Sequence, residues 1–127
     1  MSKVILITGA TDGIGLLTAQ KMAAQGHQLI IHGRSADKLD LAKQSIESSA
    51  AKSVATYRAD FSNLKEVEKL STELLRDFNR LDVIINNAGV YKTSNPITSD
   101  NMDVRFVVNT LAPALLTCNL VTLLEKK

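Results

Sequence analysis

The 127-residue sequence has little that would place it in a specialised class. Its one cysteine, Cys118, allows neither an internal disulfide nor a thiolate metal cluster. Its two histidines, His27 and His32, have no ligand spacing to each other or to Cys118, so no metal site is expected. No apolar run reaches the roughly 18 residues of a membrane span. The start, Met1-Ser2-Lys3 before four apolar residues and Thr8-Gly9, has neither the length nor the cleavage site of a secretory signal. Fifteen Lys and Arg against thirteen Asp and Glu leave a net charge of +2, and these residues are scattered. Nucleic acid demands concentrated positive charge, so no such partner is expected. There is no repeat and no tract rich in Pro, Gly or Ser. A reducing, cytoplasmic setting is the expectation.

What is present is ordinary for a globular chain. The composition is 45% hydrophobic and 22% charged, which argues against extended disorder. The length suits one domain, residues 1–127.

Hydrophobic periodicity divides the chain into alternating elements. Val4 to Ile7 is a continuous apolar run, as in a strand buried on both faces. A helical pattern follows through Ile14, Leu17, Thr18, Lys21 and Met22, stopping at Gly26, a C-cap position. Leu29-Ile30-Ile31 predicts a second strand. Leu39, Ala42, Ile46 and Ala50 predict a helix. Val54 to Arg58 predicts a third strand, and Leu64, Val67, Leu70, Leu74 and Phe78 a third helix. Asp82 to Ile85 predicts a fourth strand. After a polar loop, a long helical segment is expected from about Ser99 to Leu124, with Phe106, Leu111, Leu115 and Leu116 as packing residues. Pro113 inside it should kink or divide it. Strands alternating with crossover-length helices predict an α/β fold, a three-layer parallel sheet with helices on both faces.

The glycines after the first strand are the strongest local signal. Gly9, Gly13 and Gly15 in Thr8-Gly9-Ala10-Thr11-Asp12-Gly13-Ile14-Gly15 lie between a buried strand and a helix. Such a turn lets the backbone approach a phosphate, and the helix start offers unpaired N–H groups to it. The spacing is neither G-x-G-x-x-G nor a P-loop. Glycines serving only tight turns and helix–sheet packing are the alternative. The second strand should end near an adenosine ribose, where a carboxylate favours NAD. Here the residues are His32-Gly33-Arg34-Ser35. Arg34 carries a fork of donors suited to a 2′-phosphate, which predicts NADP(H) over NAD. Ser35 suits the same phosphate or a helix cap. His32 is expected to have no functional part. Asp60, after the third strand, could accept from the adenine amino group or cap the next helix, with Asn63 as a competing cap. Asn86-Asn87-Ala88-Gly89 should form a locked turn that also passes near a ligand. Cys118, among apolar residues, is expected to be buried.

These motifs, with Asn109, resemble the short-chain dehydrogenase/reductase family along the whole chain, with a similarity around Val108-Asn109-Thr110-Leu111 to retinol-dehydrogenase-like members. The resemblance implies an oxidoreductase that transfers hydride to or from a carbonyl or alcohol carbon. It implies cofactor contacts from Gly9, Thr11, Asp12, Gly13, Ile14, Gly15, Gly33, Arg34, Ser35, Asp60, Phe61, Asn87, Ala88 and Gly89. It also implies that Asn109 is the family's catalytic asparagine. The family's Ser, and its Tyr followed four positions later by Lys, have no counterpart: Phe61 and Asn95 stand four residues after Tyr57 and Tyr91. The sequence therefore resembles the N-terminal half of such an enzyme and is expected to be inactive alone. The alternative is a nucleotide-binding or self-associating structural module without chemistry. The resemblance implies a three-layer Rossmann-type sheet with strand order 3-2-1-4, leaving the fourth strand exposed. Partners expected on these grounds are a nicotinamide dinucleotide and a second copy, held through the fourth strand or the long helix. A complementary C-terminal chain is the alternative protein partner.

Overall fold

The structure is a computed structural model that describes residues 2–50 and 52–126; Met1, Ala51 and Lys127 lie outside the described residues. Its strands are β1 (Val4–Ile7), β2 (Gln28–Gly33), β3 (Ala55–Arg58) and β4 (Val83–Ile85). They form one parallel sheet, as the alternating pattern predicts, in the order β3-β2-β1-β4 that the resemblance implies. Parallel neighbours need crossovers, and three helices supply them. These are α1 (Gly13–Ala24), α2 (Ala36–Glu47) and α3 (Leu64–Asp77).

Side chains alternate across the sheet, so each strand feeds two cores. Ile5, Ile7, Leu29 and Ile31 pack beneath α1 and α2 with Ala19, Ala23, Leu39, Ala42 and Ile46. Leu6 and Ile30 point the other way, against Val67, Leu70 and Leu74 of α3 and Leu116 and Leu120 near the C-terminus. Both faces of β1 and β2 are covered, which is why these strands read as unbroken apolar runs. Each fully buried Leu or Val contributes roughly 1.5–3 kcal/mol.

The face of α1 differs from the sequence pattern. Its buried residues are Gly15, Ala19 and Ala23, while Ile14 and Leu17 are exposed. Only small side chains fit where α1 lies close on the sheet. Gly26 stands just past the helix end at φ 91° and donates to Ala23 O at 3.0 Å, the expected left-handed stop. The second helix ends at Glu47, and Ala50 packs on the core from beyond it.

The long C-terminal segment starts later than expected. Ile97 and Asp103 form an isolated bridge, and helix begins at α4 (Val104–Phe106). It continues through a π-helical turn, Val107–Leu111, into α5 (Ala112–Asn119) and α6 (Val121–Leu124). Pro113 explains the π turn. It has no N–H for the Asn109 carbonyl four residues earlier. Ala112 N–H reaches back five residues to Val107 O instead. Val104, Val107, Val108, Ala112 and Leu116 face inward. Phe106 and Cys118 fall on the opposite side and are exposed, contrary to expectation. No helix among the described residues is long and apolar enough to cross a membrane.

Candidate functional site

The chain's path reverses between β1 and β4: β1 to β3 build outward on one side, and the next crossover returns to the other. Open α/β sheets form a crevice at such a point, beyond the carboxyl ends of the strands. A cavity of about 760 Å³ lies there.

The strand-end segments enclosing it are laced together by side chains. Thr8, 1% exposed, accepts through Oγ1 from Asn87 N and Ala88 N, both at 3.0 Å. Asn87 Nδ2 donates to Gly9 O at 2.9 Å. This packing leaves no room at two glycines. At Gly9 a Cβ would stand 2.7 Å from Ala88 Cα, and φ is 62°. At Gly15 it would stand 2.4 Å from Gly9 O and 2.5 Å from Asn87 Nδ2. Gly15 thus lies beneath the turn, not on the cavity wall.

Gly13 is different. Its φ is 54°, and a Cβ there would meet nothing within 4 Å. It opens α1 behind Asp12, whose side chain makes no cap bond. The α1 N-terminus therefore presents its first-turn N–H groups and positive dipole end to the cavity without a side-chain cap.

The ends of β2 and β3 supply the opposite wall. Gly33, Arg34 and Ser35 line it, joined by Asp60, Phe61 and Ser62. Gly33 fits tightly, since a Cβ would stand 2.5 Å from Thr11 Cγ2. Ser35 caps α2 by accepting from Lys38 N at 3.3 Å. Asp60 does not cap α3. Its Oδ1 accepts from Ser62 N at 2.9 Å and Ser62 Oγ at 2.8 Å, while Asn63 caps by accepting from Lys65 N. No acidic side chain follows Gly33 directly. Arg34, Lys38 and Arg58 all line the cavity, and none is in an ion pair among the described residues.

Of the residues expected from sequence, Gly9, Thr11, Asp12, Gly13, Ile14, Gly33, Arg34, Ser35, Asp60, Phe61, Asn87, Ala88 and Gly89 meet at this cavity. Asn109 does not line it. Its Oδ1 accepts from Val90 N at 2.7 Å and its Nδ2 donates to Val90 O at 2.8 Å. The side chain thus clamps the segment leaving Gly89. Lys38 and Arg58 were not legible as wall residues, although Arg58 ends β3 as Arg34 follows β2.

His32 is the main residue that sequence reasoning set aside. It is 1% exposed, near the end of β2. Its Nδ1 accepts from Gly9 N at 3.1 Å and its Nε2 lies 2.8 Å from Ala59 O. Its ring stacks on Phe61 with centroids 4.1 Å apart. Burial, above all, lowers its pKa from the ordinary histidine value.

Neither tyrosine is placed as an acid–base group of this cavity. Tyr57 donates to Asp77 Oδ2 at 2.7 Å, and burial raises its pKa. Asp77 is pulled down to about 2, first by Arg76 and then by Tyr57. Tyr91 is 84% exposed.

Comparison with known proteins agrees with this geometry. An uncharacterized oxidoreductase of Emericella nidulans is 38% identical over 120 residues, covering 90% of this chain and 44% of that protein. Human retinol dehydrogenase 13 is 32% identical over 116 residues, covering 91% of this chain and 35% of that protein. Among solved structures, a metagenomic short-chain oxidoreductase in complex with NADP superposes with a TM-score of 0.80 at 28% identity, over 94% of this chain and 55% of that one. The chain thus spans less than half the length of those two relatives. The family model described as short chain dehydrogenase matches residues 3–127. The sheet order, the glycine turn and this match lead to one conclusion: the chain belongs to the short-chain dehydrogenase family.

Proposed function

We propose that this chain binds NADP(H) in the cavity beyond β1 and β4, as the dinucleotide-binding portion of an oxidoreductase. The observation that carries the reading is the α1 N-terminus. Asp12 provides no cap, Gly13 leaves space, and free first-turn N–H groups face a cavity large enough for a dinucleotide. The residues fit such a ligand. The turn from Gly9 to Gly13 and the start of α1 would hold the pyrophosphate, with Thr11 and Ile14 beside it. Gly15 would keep α1 close to the turn. Asp60 and Phe61 suit the adenine side, and Asn87, Ala88 and Gly89 the nicotinamide side.

The preference for a 2′-phosphate is supported by charge. Arg34, Lys38 and Arg58 are three cations on one wall with no carboxylate directly after Gly33. The Ser35 hydroxyl, already accepting at the α2 cap, retains its proton to donate. Arg34→Ala should weaken NADPH about ten- to a hundredfold, from the roughly 1.5–3 kcal/mol of hydrogen bonding to a charged group. NADH should be nearly unaffected. Equal loss for both ligands refutes the phosphate role.

The dinucleotide, when bound, would supply or accept the hydride that the whole enzyme exchanges with a carbonyl or alcohol carbon. This chain's contribution is to bind and orient it. Asn109 holds Val90 and so fixes the segment that follows Gly89. Tyr57 is engaged with Asp77 and Tyr91 is exposed, so neither is held as a proton donor at this cavity. This favours a binding module without turnover of its own. The apolar residues of β4 add a protein partner to the proposal. Among the described residues, Val83, Ile84 and Ile85 lie on a sheet edge and are only half-buried, and such an edge offers its backbone groups to another strand.

A further inference from the structure

We propose that His32 is a positioning residue for the dinucleotide site, a neutral imidazole that ties the glycine turn to the adenine-side wall. The inference rests on the dinucleotide reading above. The geometry fixes the tautomer. Gly9 N–H points at Nδ1 at 3.1 Å, so Nδ1 carries no proton. The Ala59 carbonyl accepts at 2.8 Å, so Nε2 carries it. The backbone of the same residue adds a third tie, as Ala10 N donates to His32 O at 3.0 Å. One residue of β2 thus sets where Gly9 and Ala10 stand relative to Ala59, the neighbour of Asp60. The stacked Phe61 ring holds the imidazole in plane.

A second proton cannot enter without breaking this arrangement. It would place an Nδ1–H against the Gly9 N–H, with almost no solvent to take up either donor. Ring or turn must move, and the turn is the segment proposed to face the phosphates. Two charges bear most on the ring. Arg34, from the end of its own strand, opposes the cation, and Asp60, from the end of β3, favours it. Asp12, Lys38 and Arg58 complete the charged groups of the surrounding walls. Desolvation outweighs the favourable effects and holds the pKa below 6.5. The stability this supplies is complete above about pH 6.5 and is lost as pH falls through the lowered value, because the unfolded chain then binds the extra proton more readily.

Two variants separate the ring's ends without a titrating group. In His32→Asn the amide oxygen can take the place of Nδ1 and keep the Gly9 bond. In His32→Gln the amide nitrogen can take the place of Nε2 and keep only the Ala59 bond. NADPH affinity at pH 7.5 should fall at least fivefold more in His32→Gln than in His32→Asn. Between pH 7.5 and 5, affinity should fall at least threefold more in the wild type than in His32→Asn, which shares the titration of the NADPH phosphate. The proposal is overturned if the two variants bind alike, or if their pH profiles match that of the wild type. Should the variants not fold, the nitrogen-15 spectrum of the wild-type imidazole decides. A neutral Nε2–H ring at pH 7, whose midpoint moves lower on adding NADPH, supports it. A cationic ring, an Nδ1–H tautomer or an unmoved midpoint overturns it. Wild-type protein that binds no NADPH at pH 7.5 ends the dinucleotide reading as well, whereas binding without these differences ends only this one.

Discussion

Replacing Thr8 by valine probes the lacing beneath the cavity with little change in shape. The Thr8 hydroxyl accepts from two backbone groups, but they do not depend on it equally. Asn87 N also reaches Ile85 O at 3.0 Å, so it keeps a partner. Ala88 N reaches only the hydroxyl among the described residues. Thr8→Val therefore orphans one N–H in a half-buried segment, at about 1–3 kcal/mol. Thr8→Ser keeps the acceptor and loses one buried methyl, at about 1 kcal/mol. The prediction is an inverted order: the near-isosteric valine, about 2 kcal/mol less stable than the wild type, should be worse than the smaller serine. Urea unfolding with an unchanged slope measures it. A valine variant as stable as the serine variant would show that the hydroxyl does not join β1 to the Asn87-Ala88 turn.

Two further outcomes follow from the packing. Gly15→Ala should lose at least tenfold in NADPH affinity and about 1–2 kcal/mol of stability in urea, because overpacking by a methyl 2.4 Å from Gly9 O outweighs the helix-forming gain of alanine. A more stable variant with unchanged affinity would contradict the close approach of α1 to the turn. The β4 edge should make the protein self-associate at micromolar concentration, and Ile84→Lys should shift it toward monomer. A wild-type monomer in sedimentation would remove the edge as an interface.

The fold was legible because its signals were redundant. The apolar runs of β1 and β2, the apolar helical face of α3 and the glycine stop at Gly26 each agreed with the parallel sheet. Gly9, Gly13 and Gly15 were legible as one turn, but not as three different jobs. Sequence does not show that Gly15 lies under the turn, Gly13 faces space and Gly9 meets Ala88. The apolar faces of α1 and of the C-terminal helix were misread at Leu17, Phe106 and Cys118. Hydrophobicity alone does not tell which side of a helix meets the sheet when small residues make the closest contact. His32 was missed for a related reason. A buried histidine earns its place through partners 23 and 27 residues away in the chain, and no local pattern records them.

The central claim is that the cavity at the ends of β1, β2 and β4 is a dinucleotide site. Titrating the isotopically labelled chain with NADPH, while following backbone amide resonances, tests it most directly. The account predicts saturable shifts concentrated at Gly9, Gly13, Ile14, Arg34, Asp60 and Gly89, with smaller changes along α6. An absence of shifts, or shifts centred on α6 or the outer face of α2, would contradict it.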